Sequence, residues 1–374
     1  MIRVVKSATV PLFSQMQVMS VRVRRGFRGH PSLAWCVLLF QGLVALAQPA
    51  IPKAIDLTKV VIAQHEDLRD SWRPQSEVPH SSRSDDVQLQ NAASLVKAGD
   101  FQSAESSIRS YLVAHADSAE AHYLLGYLFY TEKKPTASLA EYTLGARFRK
   151  PSADDLAAVS LDYVLLHSYA DADKWMTQAT SMEPSNGLYW YYLGRTKYNE
   201  NRFQESVDAF DKSLALLPFN VRAEYNLGLA YAGKALDNKA IDAYETAILW
   251  QKGTAHEDPQ PYLDLGILLA NQGHLKDAVT NLQRAVELDA QNPKIHEEMG
   301  RVYEQLHSLA KAQVEIESAV TLAPNVPSLH FQLGRIYQKE GMTERAKSEF
   351  ARCAVLNGTH STDSLETPNP DLHP

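Results

Sequence analysis

Between residues 85 and 360, small and large apolar residues fall into a pattern that repeats every 34 positions. The register is set by Tyr191-Tyr192-Leu193-Gly194, Tyr225-Asn226-Leu227-Gly228 and Phe331-Gln332-Leu333-Gly334. It divides the stretch into eight units, 85–118, 119–152, 153–186, 187–220, 221–254, 259–292, 293–326 and 327–360, with residues 255–258 as one interruption. Within a unit the marked positions recur at helical spacing in two blocks. In the fourth unit Trp190, Leu193, Gly194 and Lys197 share one face of the first block, and Ser206, Phe210 and Ser213 share one face of the second. Each unit therefore predicts two helices joined by a short turn.

Two positions are small throughout. The eighth carries Gly126, Gly194, Gly228, Gly266, Gly300 and Gly334, completed by Ala92 and Ser160. The twentieth carries Ala104, Ser138, Ala172, Ser206, Ala240, Ala278, Ala312 and Ala346, so the paired helices are expected to approach closely there. The eleventh is large, with Phe129, Tyr163, Tyr231, Leu269, Tyr303 and Tyr337, alongside Leu95 and the exceptional Lys197. Pro184, Pro218 and Pro324 stand where second helices should end, since proline lacks the amide donor and clashes inside a helix. The first unit lacks both the eighth-position glycine and the terminal proline, the second has Pro135 in its turn, and the third has Ser160 for glycine.

Taken together, these residues resemble the tetratricopeptide repeat family over roughly 276 residues. The resemblance implies an all-α fold, a right-handed superhelical solenoid of about eight helix-turn-helix repeats. It also implies a ligand face, the concave one, lined by positions two, five, nine, twelve and thirteen of each first helix. On the fifth, ninth and twelfth the chain places Tyr123, Tyr127, Tyr130, Tyr191, Arg195, Tyr198, Tyr225, Arg301 and Arg335. Tyrosine and arginine combine contact area with directional polar groups, which makes this stripe the candidate groove for a peptide or protein partner. The competing reading has the tyrosines packing between neighbouring first helices. The lysine and asparagine clamp with which the co-chaperone branch of the family captures a terminal carboxylate is absent, so an extended or helical segment along the groove is the expected ligand.

The two ends of the chain read differently. Residues 1–47 carry Arg3, Lys6, Arg22, Arg24, Arg25 and Arg28 with no acidic residue, and an apolar run from Leu33 closes on Ala45-Leu46-Ala47. This predicts an export signal cleaved after Ala47, with an uncleaved anchor as the alternative; the run is short for a membrane span, and none is expected in the mature chain. A periplasmic or secreted protein follows from it. Residues 48–84 read as an N-terminal segment and linker with a helical piece over Ile55 to Trp72, and 361–374 as a polar, proline-rich tail without structure. With no further helix to cover the eighth unit, its last face is a candidate for self-association.

Charge narrows the partner. Lys and Arg number 37 against 44 Asp and Glu, a net of −7 that becomes about −13 once the basic leader is removed, which disfavours nucleic acid. Of two cysteines, Cys36 lies in the leader; Cys353 occupies the twenty-seventh position, filled by alanine in several other units, and is expected to be buried. Gly228 to Ala235 mimics a phosphate-binding loop, but Gly228 and Tyr231 are the repeat's own helical positions. His122, His296 and His330 share the fourth position, which predicts packing rather than metal binding, and no His-Glu-x-x-His or Gly-x-Ser-x-Gly occurs. The expectation is a scaffold without catalytic residues, metal or cofactor; the alternative is a glycan- or polymer-binding accessory of an envelope or secretion machine, using the tyrosines as stacking platforms.

Overall fold

The computed structural model describes residues 83–363, and side chains over 87–358. The leader at 1–47, the helical piece from Ile55 to Trp72 and most of the tail lie outside the described residues.

Among the described residues there are sixteen helices and no strand. Each predicted unit is one helix pair. The first four pairs are α1 (Arg83–Ala98) and α2 (Phe101–Ala114), α3 (Ala119–Thr131) and α4 (Pro135–Gly145), α5 (Ala153–Leu165) and α6 (Tyr169–Met182), and α7 (Gly187–Asn199) and α8 (Phe203–Leu216). They are followed by α9 (Val221–Gly233) and α10 (Asp237–Gln251), then α11 (Gln260–Asn271) and α12 (Leu275–Leu288). The last are α13 (Pro293–Gln305) and α14 (Leu309–Leu322), and α15 (Pro327–Lys339) and α16 (Thr343–Asp363). Helix α16 runs three residues into the stretch expected to be an unstructured tail. Each helix packs on the next in the chain, and first helices of successive units also touch, so the core is a series of small clusters strung along an all-α superhelical solenoid. No described helix is long and apolar enough to cross a membrane.

The eighth-position glycines show why the pairs close so tightly. A Cβ on Gly194 would stand 2.7 Å from the Phe210 ring, on Gly228 2.5 Å from the Tyr244 ring, and on Gly334 2.7 Å from the Phe350 ring. On Gly266 and Gly300 it would meet Leu282 and Ile316 at 2.7 and 2.5 Å. In every case the obstacle is the residue sixteen places on, at the twenty-fourth position. Serine at the twentieth position adds a bond across the pair: Ser138 Oγ donates to the Gly126 carbonyl at 2.9 Å, and Ser206 Oγ to that of Gly194 at 2.8 Å.

The turn inside each unit is built one way. Its fifteenth residue has positive φ in all eight units: Gly99, Lys133, His167, Asn201, Ala235, Gly273, His307 and Gly341. The next amide reaches back to the carbonyl at position eleven, as from Lys134 to Phe129 at 2.9 Å and from Met342 to Tyr337 at 2.8 Å. This is the left-handed closure of a helix C-terminus, and five of its eight residues carry a Cβ that opposes it.

Between units, the fourth-position histidines act as bridges. Nδ1 of His122, His296 and His330 meets Glu141, Glu315 and Glu349, each at 2.7 Å on the unit's second helix. Nε2 meets the carbonyls of Ala116, Ala290 and Pro324, which close the preceding unit. Lys197, the odd eleventh residue, is buried and paired with Asp173 at 2.7 Å. Burial alone would raise the Asp173 carboxyl, but hydrogen bonds from Lys197 and Arg202 hold it below the usual carboxylate range. The interruption at 255–258 is closed by the buried Gln251 amide, which donates to the Asp258 carbonyl at 2.9 Å and accepts from its amide at 3.0 Å.

Cys353 departs from expectation. Its counterparts Ala179 and Ala285 are fully buried beneath the next unit's first helix, whereas Cys353 is half-buried, because no described helix follows α16.

Two substitutions test these joints by denaturant unfolding. Gly228→Ala should lower stability by about 1 to 2 kcal/mol, the overpacking against Tyr244 exceeding the gain of roughly 1 kcal/mol in helix propensity. Ala235→Gly should raise stability by about 1 kcal/mol by relieving the left-handed backbone. A stabilising Gly228→Ala would show that the helices tolerate a wider spacing.

Candidate ligand-binding cleft

The predicted stripe divides into residues that build the wall and residues that face solvent. Tyr123, Tyr127 and Tyr191 are buried, contrary to a ligand-facing role. Tyr123 donates to the Arg149 carbonyl, and Tyr191 packs edge-on against Tyr192 with ring centres 5.2 Å apart and against Phe210 at 6.1 Å. Tyr225 is half-buried and donates to Asp264 Oδ2 at 2.6 Å, tying the fifth unit to the sixth. Tyr198 is half-buried against Phe203. Arg301 and Arg335 are committed to ion pairs with Glu298 and Glu304, at 2.6 and 2.7 Å. The fifth-position rings of Tyr191 and Tyr225 meet side chains of their own or the next unit, while at the ninth position Arg301 pairs within its own helix and Arg335 with Glu304 of the preceding unit.

Tyr130 and Arg195 remain, and the structure brings them together. They line a cleft of about 290 Å³ on the first-helix face of units two to five. Its wall includes Leu161, Val164 and Leu165 of α5, Tyr192 and Asn199 of α7, and Arg222 at the start of α9. Leu161 holds the ninth position, Val164 the twelfth, Leu165 and Asn199 the thirteenth and Arg222 the second, all on the face the family resemblance implies. By residue type alone Leu161, Val164 and Leu165 read as core, and Asn199 and Arg222 as ordinary surface. The signal that could have found them is position rather than residue type.

Leu165 is 45% exposed and so presents apolar surface in the cleft. At the rim, Arg195 lies 5.8 Å from the centre of the Tyr191 ring, and Lys133 and Arg222 are exposed. None of these three cations makes an ion pair among the described residues. Some other basic side chains are paired, Lys134 with Glu132, Lys294 with Glu298, and Lys339 with Glu304, while others, such as Arg147, Lys150 and Lys276, are not. No group of His, Cys, Asp and Glu among the described residues could hold a metal ion. The look-alike phosphate loop is helix α9 and its turn, so its amides serve the helix. The arrangement can bind and orient, and the residues lining the cleft include no His, Asp or Glu.

On the buried side of α5 lies Asp162, at the tenth position, where other units carry Leu128, Ala230, Val302 and Ile336. It is fully buried and neither carboxylate oxygen has a hydrogen-bond partner; the nearby Ser138 hydroxyl is spent on Gly126. Burial pushes its carboxyl up to about 7.

Models described as the tetratricopeptide repeat match residues 89–154, 161–221, 191–259 and 327–360, and one described as the TPR repeat matches 266–306. Among characterised proteins, the anaphase-promoting complex subunit 6 of Arabidopsis thaliana is 27% identical over 128 residues, covering 33% of this chain and 24% of that protein. The peroxisomal targeting signal receptor of Candida albicans is 40% identical over 70 residues, covering 18% of this chain and 12% of that protein. The chain thus spans no more than about a quarter of either relative. A tetratricopeptide repeat protein from Parabacteroides merdae superposes with a TM-score of 0.53 at 16% identity, over 68% of this chain and 99% of that one. That likeness is one of fold.

The isolated carboxyl of Asp162 generates a pH prediction. Its folded value lies above the unfolded one, so the stability it permits is full below about pH 4 and is lost as pH rises through about 7. Asp162→Asn should flatten that part of the profile and stabilise the array at pH 8, by on the order of 3 kcal/mol. Parallel profiles for the two proteins would mean that the carboxylate is solvated in the fold.

Proposed function

This chain belongs to the tetratricopeptide repeat family, and we propose that it is an exported scaffold holding an extended segment of a protein partner in the cleft of units two to five. Proteins built from such repeats generally act as interaction scaffolds rather than enzymes, and that coarser role applies here. The reading rests chiefly on one observation: successive first helices present Tyr130, Leu161, Val164, Leu165 and Arg195 along one continuous cleft. Its volume, about 290 Å³, sits at the lower edge of what encloses a small ligand and suits a few side chains of a longer peptide. A glycan platform would need open ring faces, which the burial of Tyr123, Tyr127 and Tyr191 disfavours. Export is supported by the basic and apolar leader ending at Ala47. Amino-terminal sequencing of the mature protein tests it: a start at Gln48 agrees, and an intact leader on protein in the cytosol contradicts. Self-association through α16 is a further proposal, supported by the half-exposed Cys353 and Val355 there.

The cleft is tested by selecting peptides from a displayed library on the full chain and measuring their affinity for variants. Leu165→Asp should weaken binding at least tenfold with an unfolding midpoint close to that of the parent, because the side chain is nearly half exposed. Tyr191→Ala should instead cost about 3 to 5 kcal/mol of stability and leave affinity per folded molecule unchanged. Loss of binding in Tyr191→Ala alone, with Leu165→Asp unaffected, would place the ligand elsewhere.

A further inference from the structure

We propose that the cleft selects a partner segment in which aliphatic and acidic side chains alternate, the aliphatic ones seated on α5 and the carboxylates held by Arg195, Arg222 and Lys133. The inference rests on the peptide-binding reading above and adds to it the chemistry of the partner.

The floor and rim of the cleft ask for different things. Leu161, Val164 and Leu165 offer apolar surface without a strong donor or acceptor, so the gain available there is removal of aliphatic surface from water. The rim supplies three positive charges that no carboxylate of the described chain neutralises. The contrast with neighbouring cations is sharp. Arg202, on the turn after α7, is shared among Asp173, Glu200 and Glu205 at 2.6 to 3.0 Å, and Lys197 is held by Asp173. Other cations of the described chain, such as Arg147, Lys150 and Lys276, also make no ion pair, but Arg195, Arg222 and Lys133 line one cleft, and no carboxylate lines it with them.

Geometry favours an extended strand over a helix. The rim cations come from three units, Lys133 after α3, Arg195 on α7 and Arg222 on α9, while the apolar floor comes from α5 between the first two. A segment crossing those units meets cation, floor, cation in turn, and an extended chain sends successive side chains to opposite sides. Nucleic acid is disfavoured by the aliphatic floor and by the net charge of −7, since phosphate binding calls for a broad basic surface and bases stack on open aromatic faces.

The test uses the full chain and three twelve-residue probes with leucine or valine at alternate positions and glutamate, glutamine or lysine between them. Binding is read by fluorescence anisotropy at two salt concentrations. The glutamate probe should bind at least tenfold more tightly than the glutamine probe, with the difference shrinking at high salt, and the lysine probe should bind most weakly. Arg195→Gln and Arg222→Gln should each weaken the glutamate probe severalfold and leave the glutamine probe unchanged, whereas Arg352→Gln on α16 should change neither. Equal binding of the glutamate and glutamine probes would overturn the charge preference and leave the peptide reading standing. Competition by a twelve-nucleotide single-stranded DNA as effective as the glutamate peptide would overturn it in favour of a general polyanion site. If no probe and no member of a displayed library binds in a manner sensitive to Leu165→Asp, the peptide reading fails and this inference with it.

Discussion

A missing side chain governs this array. Where Gly126, Gly194, Gly228, Gly266, Gly300 and Gly334 face the twenty-fourth residue of their own unit, a single added carbon would stand 2.5 to 3.1 Å from a ring or branched chain. The two helices of a pair therefore meet with backbone against side chain, and the large residue fills the space a Cβ would take. The first and third units reach the same end with Ala92 against Ile108 and Ser160 against Met176, all fully buried, and Ser160 donates to the Ala172 carbonyl at 2.7 Å. Because each pair is closed in the same way, the next pair stacks in the same register, and first helices fall side by side on one face. The cleft is a consequence of that stacking.

How much of this could be read from the sequence depended on how few residues a site tolerates. The eighth and twentieth positions admit only small side chains, so the period and the sixteen helices were legible. The fifteenth position was not, because the left-handed turn is enforced by the hydrogen bond back to position eleven and accepts Lys133, His167, Asn201, Ala235 and His307 as well as glycine. The tyrosine stripe left two readings open, because whether a fifth-position ring meets solvent is decided by its neighbours, and Phe210 and Tyr192 pack against Tyr191. Leu161 and Val164 were invisible for the opposite reason, since nothing in an aliphatic residue distinguishes a cleft floor from a core. Cys353 was assigned burial by analogy with alanines that owe theirs to a following unit.

Electrostatics divides the molecule along the same line as packing. In the C-terminal units the first-helix face is laced by Arg301 with Glu298, Arg335 and Lys339 with Glu304, and Gln332 with Glu297. Such exposed pairs add little stability individually, but they occupy the groups a ligand would use. In units two to five the rim cations are unoccupied and the floor is apolar, while directly behind it α5 buries Asp162 without a partner. A helix that carries an uncompensated carboxyl on one side and exposed leucine on the other is held in place by its neighbours at some cost in stability. Sites that bind are commonly where a fold departs from its own local rules.

The most direct test of the account is methyl NMR of the full chain titrated with a selected peptide, following leucine and valine resonances residue by residue. The account predicts that Leu161, Val164 and Leu165 shift in step with binding, while Leu249, Val314 and Val355, exposed on the second helices, do not. Shifts confined to those second-helix methyls, with α5 unmoved, would contradict it.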